Sequence, residues 1–343
     1  MKFVIFHIEG GIGKNIMATA VAEAIKKKYP EREIITVCSH PPVFMNNPNV
    51  YRVYQLGATP YFYEDFVKDK DSIVLKSDPY LHEGFINKKT HCIEAWCLLH
   101  NIPYNGEETA LFLTQQEEEL VEQSFNRWGK PIMLLQTNGG GGPESAGGMG
   151  SWVRDMPLEL ATELVEHFDS KYKILHIRTE NQPALEGVDH VMTHNQRELF
   201  ALIKYSHNRI VIDSFIQHAS KAFGKKSTVA WPVDKTKALG YDFHNNIIAE
   251  FEHRKTHSVD YYLSEDDIVG QPHMCPFPKG AKIFNKEPII KSAENLDESH
   301  LYHPPKGNLM GQQQPNMCNP NMRQPQMQPQ PLPYEVPQPM LNL

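Results

Sequence analysis

Apolar residues open the chain in a short run that ends at a glycine-rich turn. Lys2–His7 is mostly apolar and is followed by Glu9-Gly10-Gly11-Ile12-Gly13, which is typical of a central parallel strand that is buried on both faces and ends in a tight turn. From residue 16 to residue 25 the apolar positions recur at helical spacing, and Ile34–Val37 predicts a second strand. The first 37 residues therefore predict one β-loop-α-β unit.

The pattern between residues 50 and 128 indicates the remainder of a first domain. Strands are predicted at Val50–Tyr54, Ile73–Leu75 and Ala110–Thr114, and helices at 91–100 and Glu117–Trp128. Gly129-Lys130-Pro131 then interrupts the pattern, which indicates a hinge between two domains.

Strands and helices alternate strictly after this hinge. The predicted strands are Ile132–Gln136, Lys173–Ile177, Ile210–Ile212 and Thr228–Trp231, and the predicted helices are Leu158–Phe168, Arg197–Tyr205 and Ser214–Phe223. Such alternation predicts a parallel sheet with helices on both faces. We therefore expect an α/β fold of two Rossmann-like domains, residues 1–128 and 129–271, that face a central cleft.

The end of the chain differs in composition from the rest. Residues 304–343 contain 10 Pro and 8 Gln, and proline lacks a backbone donor while glutamine adds no apolar area to a core. We expect residues 272–343 to form an extended, disordered tail, or alternatively a binding arm that a protein partner orders.

Composition and charge exclude several classes of protein. The net charge of −7 without a basic block argues against a large nucleic-acid surface, and no apolar run is long enough for a membrane span. The five scattered cysteines and a start that suits a buried strand better than a signal peptide favour a cytoplasmic protein. Cys92, Cys97 and His100 could ligate zinc, but their spacing within an apolar segment is more typical of a buried helix.

The first glycine turn, Gly10–Asn15, does not match known nucleotide-binding loops. Ile8 and Asn15 stand where the Walker motif needs glycine and a hydroxyl, and Met17 stands where G-x-G-x-x-G needs its third glycine. What remains is a helix N-terminus at the cleft, a general place for an anion or a polar acceptor. Alternatively, Gly11 and Gly13 serve the geometry of the turn alone.

A second strand-to-helix turn is predicted at Asp213–His218. Ser214 is a suitable N-cap, and the backbone N–H groups after it could hold a diphosphate, with His218 one turn inside the helix. Upstream, residues 139–150 contain seven glycines and precede Arg154, which could pair with a phosphate. The alternatives are a mobile surface loop there and, for the D-x-D sequence Asp69-Lys70-Asp71, a solvated turn rather than a metal site.

These segments together resemble glycosyltransferase family 9, the heptosyltransferase-like family of GT-B fold. The likeness begins at GGIGKNIMATAVAEAIKKKYPEREIITV, continues through NNPNVYRVY and RDMP, and is most specific in DSFIQHASKAFGKKSTVAW. It covers residues 1–270 approximately. It implies that the second domain binds a nucleotide-diphosphate sugar, that the first binds an acceptor, and that transfer inverts the anomeric centre without a metal or another cofactor.

The resemblance also implies roles for particular residues. Arg154 would replace the family's phosphate-binding lysine, and Asp213, Ser214, Phe215 and His218 would form the diphosphate-binding turn. Phe215 stands where the family has glycine, so we expect it to narrow the donor site.

A second departure falls in the first turn. The family has Gly-Asp where this chain has Gly13-Lys14, and a protonated lysine cannot accept the proton of the acceptor. Glu9 is the nearest carboxylate that could act as the base, with Lys14 assisting the leaving diphosphate; equally, Glu9 could only cap the turn.

The function expected from these observations is transfer of a sugar from a nucleotide-diphosphate sugar to a hydroxyl of a glycan or another acceptor. A catalytically inactive sugar-nucleotide-binding or scaffolding protein of the same fold is the alternative, since Lys14 replaces the family's base. A more distant alternative is an epimerase-type enzyme of the same fold, which needs no external acceptor.

Overall fold

A computed structural model of the protein describes residues 2–126, 128–140, 153–192, 195–250 and 282–303. The first of its two sheets is parallel and has the strand order β3-β2-β1-β4. Its strands are β1 (Lys2–Ile8), β2 (Glu33–Cys38), β3 (Arg52–Gln55) and β4 (Asp71–Lys76). The helices of this half are α1 (Ile12–Lys28), α2 (Phe62–Phe66), α3 (Glu83–Ile86), α4 (Cys92–Leu99) and α5 (Gln115–Asn126).

The second sheet has six parallel strands in the order β10-β9-β8-β5-β6-β7. Its strands are β5 (Ile132–Leu135), β6 (Lys173–Ile177), β7 (Asp189–Val191), β8 (Asn208–Ile212), β9 (Thr228–Trp231) and β10 (Asn245–Ile248). Its helices are α6 (Leu158–Phe168), α7 (Gln196–Tyr205), α8 (Phe215–Ala222), α9 (Thr236–Leu239) and α10 (Lys286–Asn295). Counted from β5, this is the 3-2-1-4-5-6 order of a doubly wound sheet.

The apolar runs of the sequence become the central strands of both sheets. β1 lies between β2 and β4, with Val4 opposite Ile34 on one side and Ile73 on the other. Its residues Phe3–Phe6 are all buried, as is every residue of β5 and β8. Strands that are covered on both faces need apolar side chains at successive positions, which explains these continuous runs.

Helices join the two sheets into one compact unit. α1 packs against α8, and α5 packs against α7, so helices of the first half contact helices of the second. At the α5–α7 contact, the buried Arg197 donates to both carboxylate oxygens of Glu117 at 2.7 Å. Arg197 also donates to the carbonyl oxygens of Pro42 and Phe112, at 3.1 and 2.6 Å. The predicted α/β fold with two parallel sheets is confirmed, whereas the domain boundary after residue 128 stays a prediction.

The predicted strand at Ala110–Thr114 is wrong. This segment pairs with no strand in the described part of the chain. The Ala110 N–H instead donates to the hydroxyl of Thr19 on α1 at 2.9 Å, and Leu111 is buried in the core beside the helices. Its apolar and polar alternation reflects packing on a helix layer.

The expectation of an extended tail from residue 272 is also wrong in part. Residues 286–295 form α10, which packs on α6 and on β8, β9 and β10 and buries Ile289, Ile290 and Ala293. The side chain of Asn208 donates to the Ala293 carbonyl at 2.8 Å, which ties the helix to β8. Apolar side chains on one face of α10 therefore extend the second half beyond residue 271. Residues 251–281 and 304–343 lie outside the described residues.

The cysteines of α4 belong to the core. Cys92 and Cys97 are fully buried, and burial raises the pKa of Cys97 to about 12. His100, at the end of the helix, bonds the hydroxyl of Ser77 at 2.9 Å. Among the described residues no group of three potential metal ligands is found, so this set does not form a zinc site. None of the helices in the described ranges is both long and apolar enough to cross a bilayer.

Candidate functional site

A cleft of about 880 Å³ lies where the carboxyl ends of the two sheets face each other. Residues that follow β1, β4, β5, β8 and β9 contribute to its walls: Glu9, Asp78, Gln136, Asp213 and Lys235. The strand order reverses between β1 and β4 and between β5 and β8. Crevices at such reversals are the usual ligand sites of open parallel sheets.

The turn between β1 and α1 presents the amino end of a 17-residue helix to this cleft. Gly10 has a φ of 102°, a left-handed conformation in which other residues are strained. Gly11 is the N-cap of α1 and supplies no capping side chain. The side chain of Asn15 donates back to the carbonyl oxygens of Gly10 and Gly11, at 3.1 and 2.9 Å, and fixes the turn.

Lys14 in the first turn of α1 is paired with a carboxylate from the neighbouring strand. Its ammonium lies 2.9 Å from Oδ1 of Asp78, just beyond β4. The same ammonium lies 4.7 Å from the ring centre of Tyr80 and 5.6 Å from that of Trp96. The Lys14 side chain is 6% exposed and that of Asp78 45% exposed, so the cation is enclosed and the carboxylate reaches solvent in the cleft.

Gly13 lets the two halves approach closely. A Cβ atom at this position would lie 2.8 Å from Cδ2 of His218 and 3.5 Å from the Cα of Phe215. The first turn of α1 therefore sits directly against the first turn of α8. No atom of the described residues lies within 4 Å of a Cβ built on Gly11, so among these residues packing requires glycine at 13 but not at 11.

Glu9 stands at the rim of the cleft, and no hydrogen bond joins its carboxylate to the glycine turn in the described part of the chain. Its carboxylate pairs with the ammonium of Lys76 on β4 at 3.2 Å and approaches Nδ1 of His7 at 3.6 Å. Its side chain is 56% exposed. The carboxylate therefore faces solvent beside a lysine on the first half of the molecule.

The turn between β8 and α8 is capped by a side chain. Ser214 is the N-cap of α8, and its hydroxyl accepts a hydrogen bond from the Ile216 N–H at 3.3 Å and donates to Oε1 of Gln136 at the end of β5. This link fixes the start of α8 against the neighbouring strand. Phe215 begins the helix, packs against the core and lines the cleft.

Two cations accompany Asp213 in this turn. Desolvation raises the pKa of Asp213, while the charges of Arg154 and Lys235 oppose that shift. The side chain of Gln217 donates to Oδ1 of Asp213 at 2.8 Å. The charges of Arg154 and Lys235 act on this turn, so a negative ligand there would interact favourably with the two cations and unfavourably with an ionised Asp213.

The segment around Arg154 is held by the residue that follows it. Asp155 accepts hydrogen bonds from the Asn138 side chain at 2.8 Å and from the Gly139 N–H at 3.0 Å. A Cβ atom on Gly139 would lie 2.7 Å from Cδ of Arg154. Glycine at 139 thus makes room for the arginine side chain, while residues 141–152 of the glycine-rich loop lie outside the described residues.

His218 is buried in the first turn of α8 and carries no charge near neutral pH. Desolvation lowers its pKa to about 3, and its Nδ1 bonds the hydroxyl of Tyr241 at 2.8 Å. It can therefore contribute a hydrogen bond, but not a positive charge, to a ligand in the cleft.

The far wall of the cleft is built from hydrogen-bonded side chains of both halves. Arg178 donates to the carbonyl oxygens of Gln182 and Glu180, at 2.6 and 3.0 Å. Gln196 on α7 bonds Nδ1 of His40, from the first half, at 2.9 Å. Backbone and cross-cleft hydrogen bonds thus hold the polar side chains of this wall in place.

All nine site residues predicted from the sequence line this cleft: Glu9, Gly11, Gly13, Lys14, Arg154, Asp213, Ser214, Phe215 and His218. Their individual roles stay predictions. The D-x-D aspartates are elsewhere, because Asp71 begins β4, at the end of that strand opposite the cleft, and its carboxylate pairs with Arg32 at 2.9 Å.

Sequence reasoning missed Asp78, Gln136 and Lys235. Each lies shortly after a strand, and polar residues after parallel strands converge at one edge of a sheet. Strands were predicted at Ile73–Leu75 and Ile132–Gln136. The places of Asp78 and Gln136 at the carboxyl ends of these strands could therefore have identified both residues from the sequence.

The fold is similar to those of solved glycosyltransferases. A glycosyltransferase family 9 protein from Veillonella parvula is 14% identical, with a TM-score of 0.62 over 86% of this chain and 97% of that chain. The iron-containing dodecameric glycosyltransferase TibC from enterotoxigenic E. coli is 10% identical, with a TM-score of 0.55 over 86% of this chain and 76% of that chain.

The structure of TibC in complex with ADP-D-β-D-heptose gives 9% identity and a TM-score of 0.52 over 86% of this chain and 76% of that chain. No family model matches the sequence, and no curated protein matches it. The resemblance to glycosyltransferase family 9 is thus confirmed at the level of the GT-B fold.

Proposed function

We propose that the protein is a glycosyltransferase that moves a sugar from a nucleoside-diphosphate sugar to an acceptor hydroxyl with inversion. The observation that carries this proposal is the cleft itself, in which the N-termini of α1 and α8 converge from two facing sheets. Arg154 and Lys235 lie on one side, and the carboxylates of Glu9 and Asp78 on the other. A transfer reaction needs both a site for developing negative charge and a group that accepts a proton.

The donor diphosphate is assigned to the second half. Backbone N–H groups at the start of α8 after Ser214 would donate to its oxygens, and Arg154 would pair with it. These groups would also stabilise the charge that grows on the diphosphate as the glycosidic bond breaks. Asp213 forms part of this turn, and the neutral His218 supplies a hydrogen bond.

The acceptor is assigned to the first half, where its hydroxyl would attack the anomeric carbon from the face opposite the diphosphate. Glu9 is the carboxylate that the sequence nominates as base, and its exposure at the rim is compatible with contact to an acceptor. Transfer proceeds without a metal ion or another cofactor in this proposal, so dialysis against EDTA should leave the rate unchanged.

The alternative is a protein that binds a sugar nucleotide without turnover. The burial of Lys14 in its pair with Asp78 favours it, because the first turn of α1 then presents no carboxylate of its own. The two functions share the donor site and differ only in catalysis.

A panel of nucleotide sugars tests the proposal, with ADP-heptose included because TibC binds it. Thermal shift reports binding, and release of nucleoside diphosphate with glycan acceptors present or absent reports turnover. Acceptor-dependent release is the expected result. Binding without release would support the non-catalytic alternative, release as free or isomerised sugar would indicate an epimerase-type reaction, and no binding at all would refute the proposal.

A further inference from the structure

The first half of the cleft holds two carboxylates that could accept a proton, and they differ in how firmly they are held. Glu9 is 56% exposed, and its Oε1 pairs with the Lys76 ammonium at 3.2 Å and lies 3.6 Å from Nδ1 of His7. Asp78 is 45% exposed, but its Oδ1 accepts two hydrogen bonds, from the Lys14 ammonium at 2.9 Å and from the Tyr80 N–H at 3.0 Å.

Lys14 is itself immobilised, which fixes the carboxylate that it contacts. Its side chain is 6% exposed and its ammonium is enclosed by the rings of Tyr80 and Trp96 at 4.7 and 5.6 Å. The Tyr80 ring stacks on Phe85 with centres 4.9 Å apart, and Trp96 is fully buried. A buried cation of this kind needs a counter-charge, and Asp78 supplies it.

A fixed carboxylate at the edge of the cleft has the properties of a general base. It lies within the cleft wall, and its orientation is set before substrate arrives. Glu9 lacks comparable restraint, because no backbone N–H of the described residues donates to it.

We infer that Asp78 is the general base of the proposed transfer and that Lys14 is the residue that positions it. The inference rests on the proposed function. The acceptor oxygen forms a bond to the anomeric carbon, and the bond between that carbon and the diphosphate oxygen breaks with its electron pair retained by the leaving diphosphate. The hydroxyl proton passes to the second oxygen of Asp78 and from there to solvent.

Asp78→Asn tests the assignment because asparagine keeps the size of the side chain and its ability to cap the turn at Pro79–Leu81. We expect kcat for transfer to fall about 10²–10⁴-fold, with ADP affinity by calorimetry unchanged because the diphosphate site is on the other half. Asp65→Asn, on the exposed face of α2, is the matched control and should keep the parent kcat.

Asp78→Ala provides a second readout that a structural role would not produce. Added formate should restore part of its kcat, because a small carboxylate can enter the space and take the proton. Glu9→Gln is measured in parallel. A large loss in Glu9→Gln together with parent-like transfer in Asp78→Asn would make Glu9 the base and overturn this inference.

Formate failing to raise kcat in Asp78→Ala, although the variant folds and binds ADP, would also overturn it. If the parent protein itself transfers sugar to no acceptor, the proposed function fails. That result is distinguishable from failure of the inference alone, in which the parent transfers sugar and Asp78→Asn transfers it equally well.

Discussion

The two strand-to-helix turns at the cleft share one architecture, but their acidic and basic residues occupy opposite positions. In the β1–α1 turn the first turn of the helix carries a cation, Lys14, and the carboxylate comes from Asp78 beyond the neighbouring strand β4. In the β8–α8 turn the carboxylate, Asp213, precedes the helix, and the cations Arg154 and Lys235 come from other segments.

The helix dipole explains why the two arrangements differ in function. A cation in the first turn of a helix is unfavourable and requires a partner, so the start of α1 is committed to the Lys14–Asp78 pair. The start of α8 is capped by Ser214 and has cations nearby, which favours an anionic ligand. In the proposed function, the same local motif therefore provides proton transfer on one side of the cleft and anion binding on the other.

Reversing the charge of Lys14 should have the largest effect on activity. Lys14→Asp would place a second carboxylate beside Asp78 and remove the cation that positions it, so we expect transfer to fall about 100-fold or more. Lys26→Asp, which makes the same change at the other end of α1, serves as the control. A gain of activity in Lys14→Asp would instead mean that α1 should carry the base and that this chain had lost it.

Removal of Arg154 should act on the other turn and on binding. Arg154→Ala is expected to weaken ADP affinity by about 1.5–3 kcal/mol, or about 10- to 150-fold, the range for hydrogen bonds to charged groups. Calorimetry with ADP measures it, with the exposed Arg52→Ala as control. Equal affinity in Arg154→Ala and the parent would remove Arg154 from the diphosphate site.

The Arg197–Glu117 pair between α7 and α5 has a pH dependence of known sign. The Arg197 guanidinium lowers the pKa of Glu117 from 4.5 to about 2, so the pair stabilises the fold fully above pH 4.5, and this contribution is lost as the pH falls from 4.5 towards 2. Glu117→Gln should lower the free energy of unfolding at pH 7 by about 1.5–3 kcal/mol.

Urea unfolding of parent and Glu117→Gln at several pH values checks this prediction. The difference between them should shrink below pH 4.5. Glu118→Gln, which breaks the more exposed pair with Lys204 on the same two helices, should cost only about 0–1 kcal/mol. A difference that stays constant down to pH 2 would show that Glu117 is not stabilised through its charge.

A smaller effect is expected where the two turns touch. Gly13→Ala would press a methyl group against His218, and after the gain in helix propensity we expect a loss of about 1–2 kcal/mol in the free energy of unfolding. Gly11→Ser, two positions earlier, meets no atom of the described residues within 4 Å of its Cβ and introduces a favoured N-cap, so its stability should equal or exceed that of the parent. Thermal unfolding of both variants distinguishes the effect of the contact with His218 from that of local helix propensity. Equal stability of the two variants would refute the close approach of Gly13 to His218.

Both turns could be predicted from the sequence because their signals are local. An apolar run followed by Gly10–Gly13, and another followed by Ser214, mark strand ends and helix starts within a few residues. The pairing of Lys14 with Asp78 spans 64 positions, and only the strand order brings the two together.

The errors arose where composition or alternation has more than one structural cause. The proline-rich end of the chain led the predicted tail to extend over α10, although Asn285 caps that helix through the Glu287 N–H at 3.1 Å. The alternation at Ala110–Thr114 matches a strand, but its position beside α1 assigns its N–H at Ala110 to Thr19. The Ala110–Thr19 contact spans 91 positions and is absent from the local pattern, whereas the Asn285 cap is a local signal that the composition of the tail outweighed.

Hydrogen exchange measured by mass spectrometry with and without saturating ADP tests most directly whether the two turns divide their roles as described. The account predicts slowed exchange for the amides of Ser214–His218 and unchanged exchange for those of Gly10–Lys14. Protection confined to Gly10–Lys14, or absent from both turns while calorimetry shows binding, would contradict the claim that the second half of the cleft holds the nucleoside diphosphate.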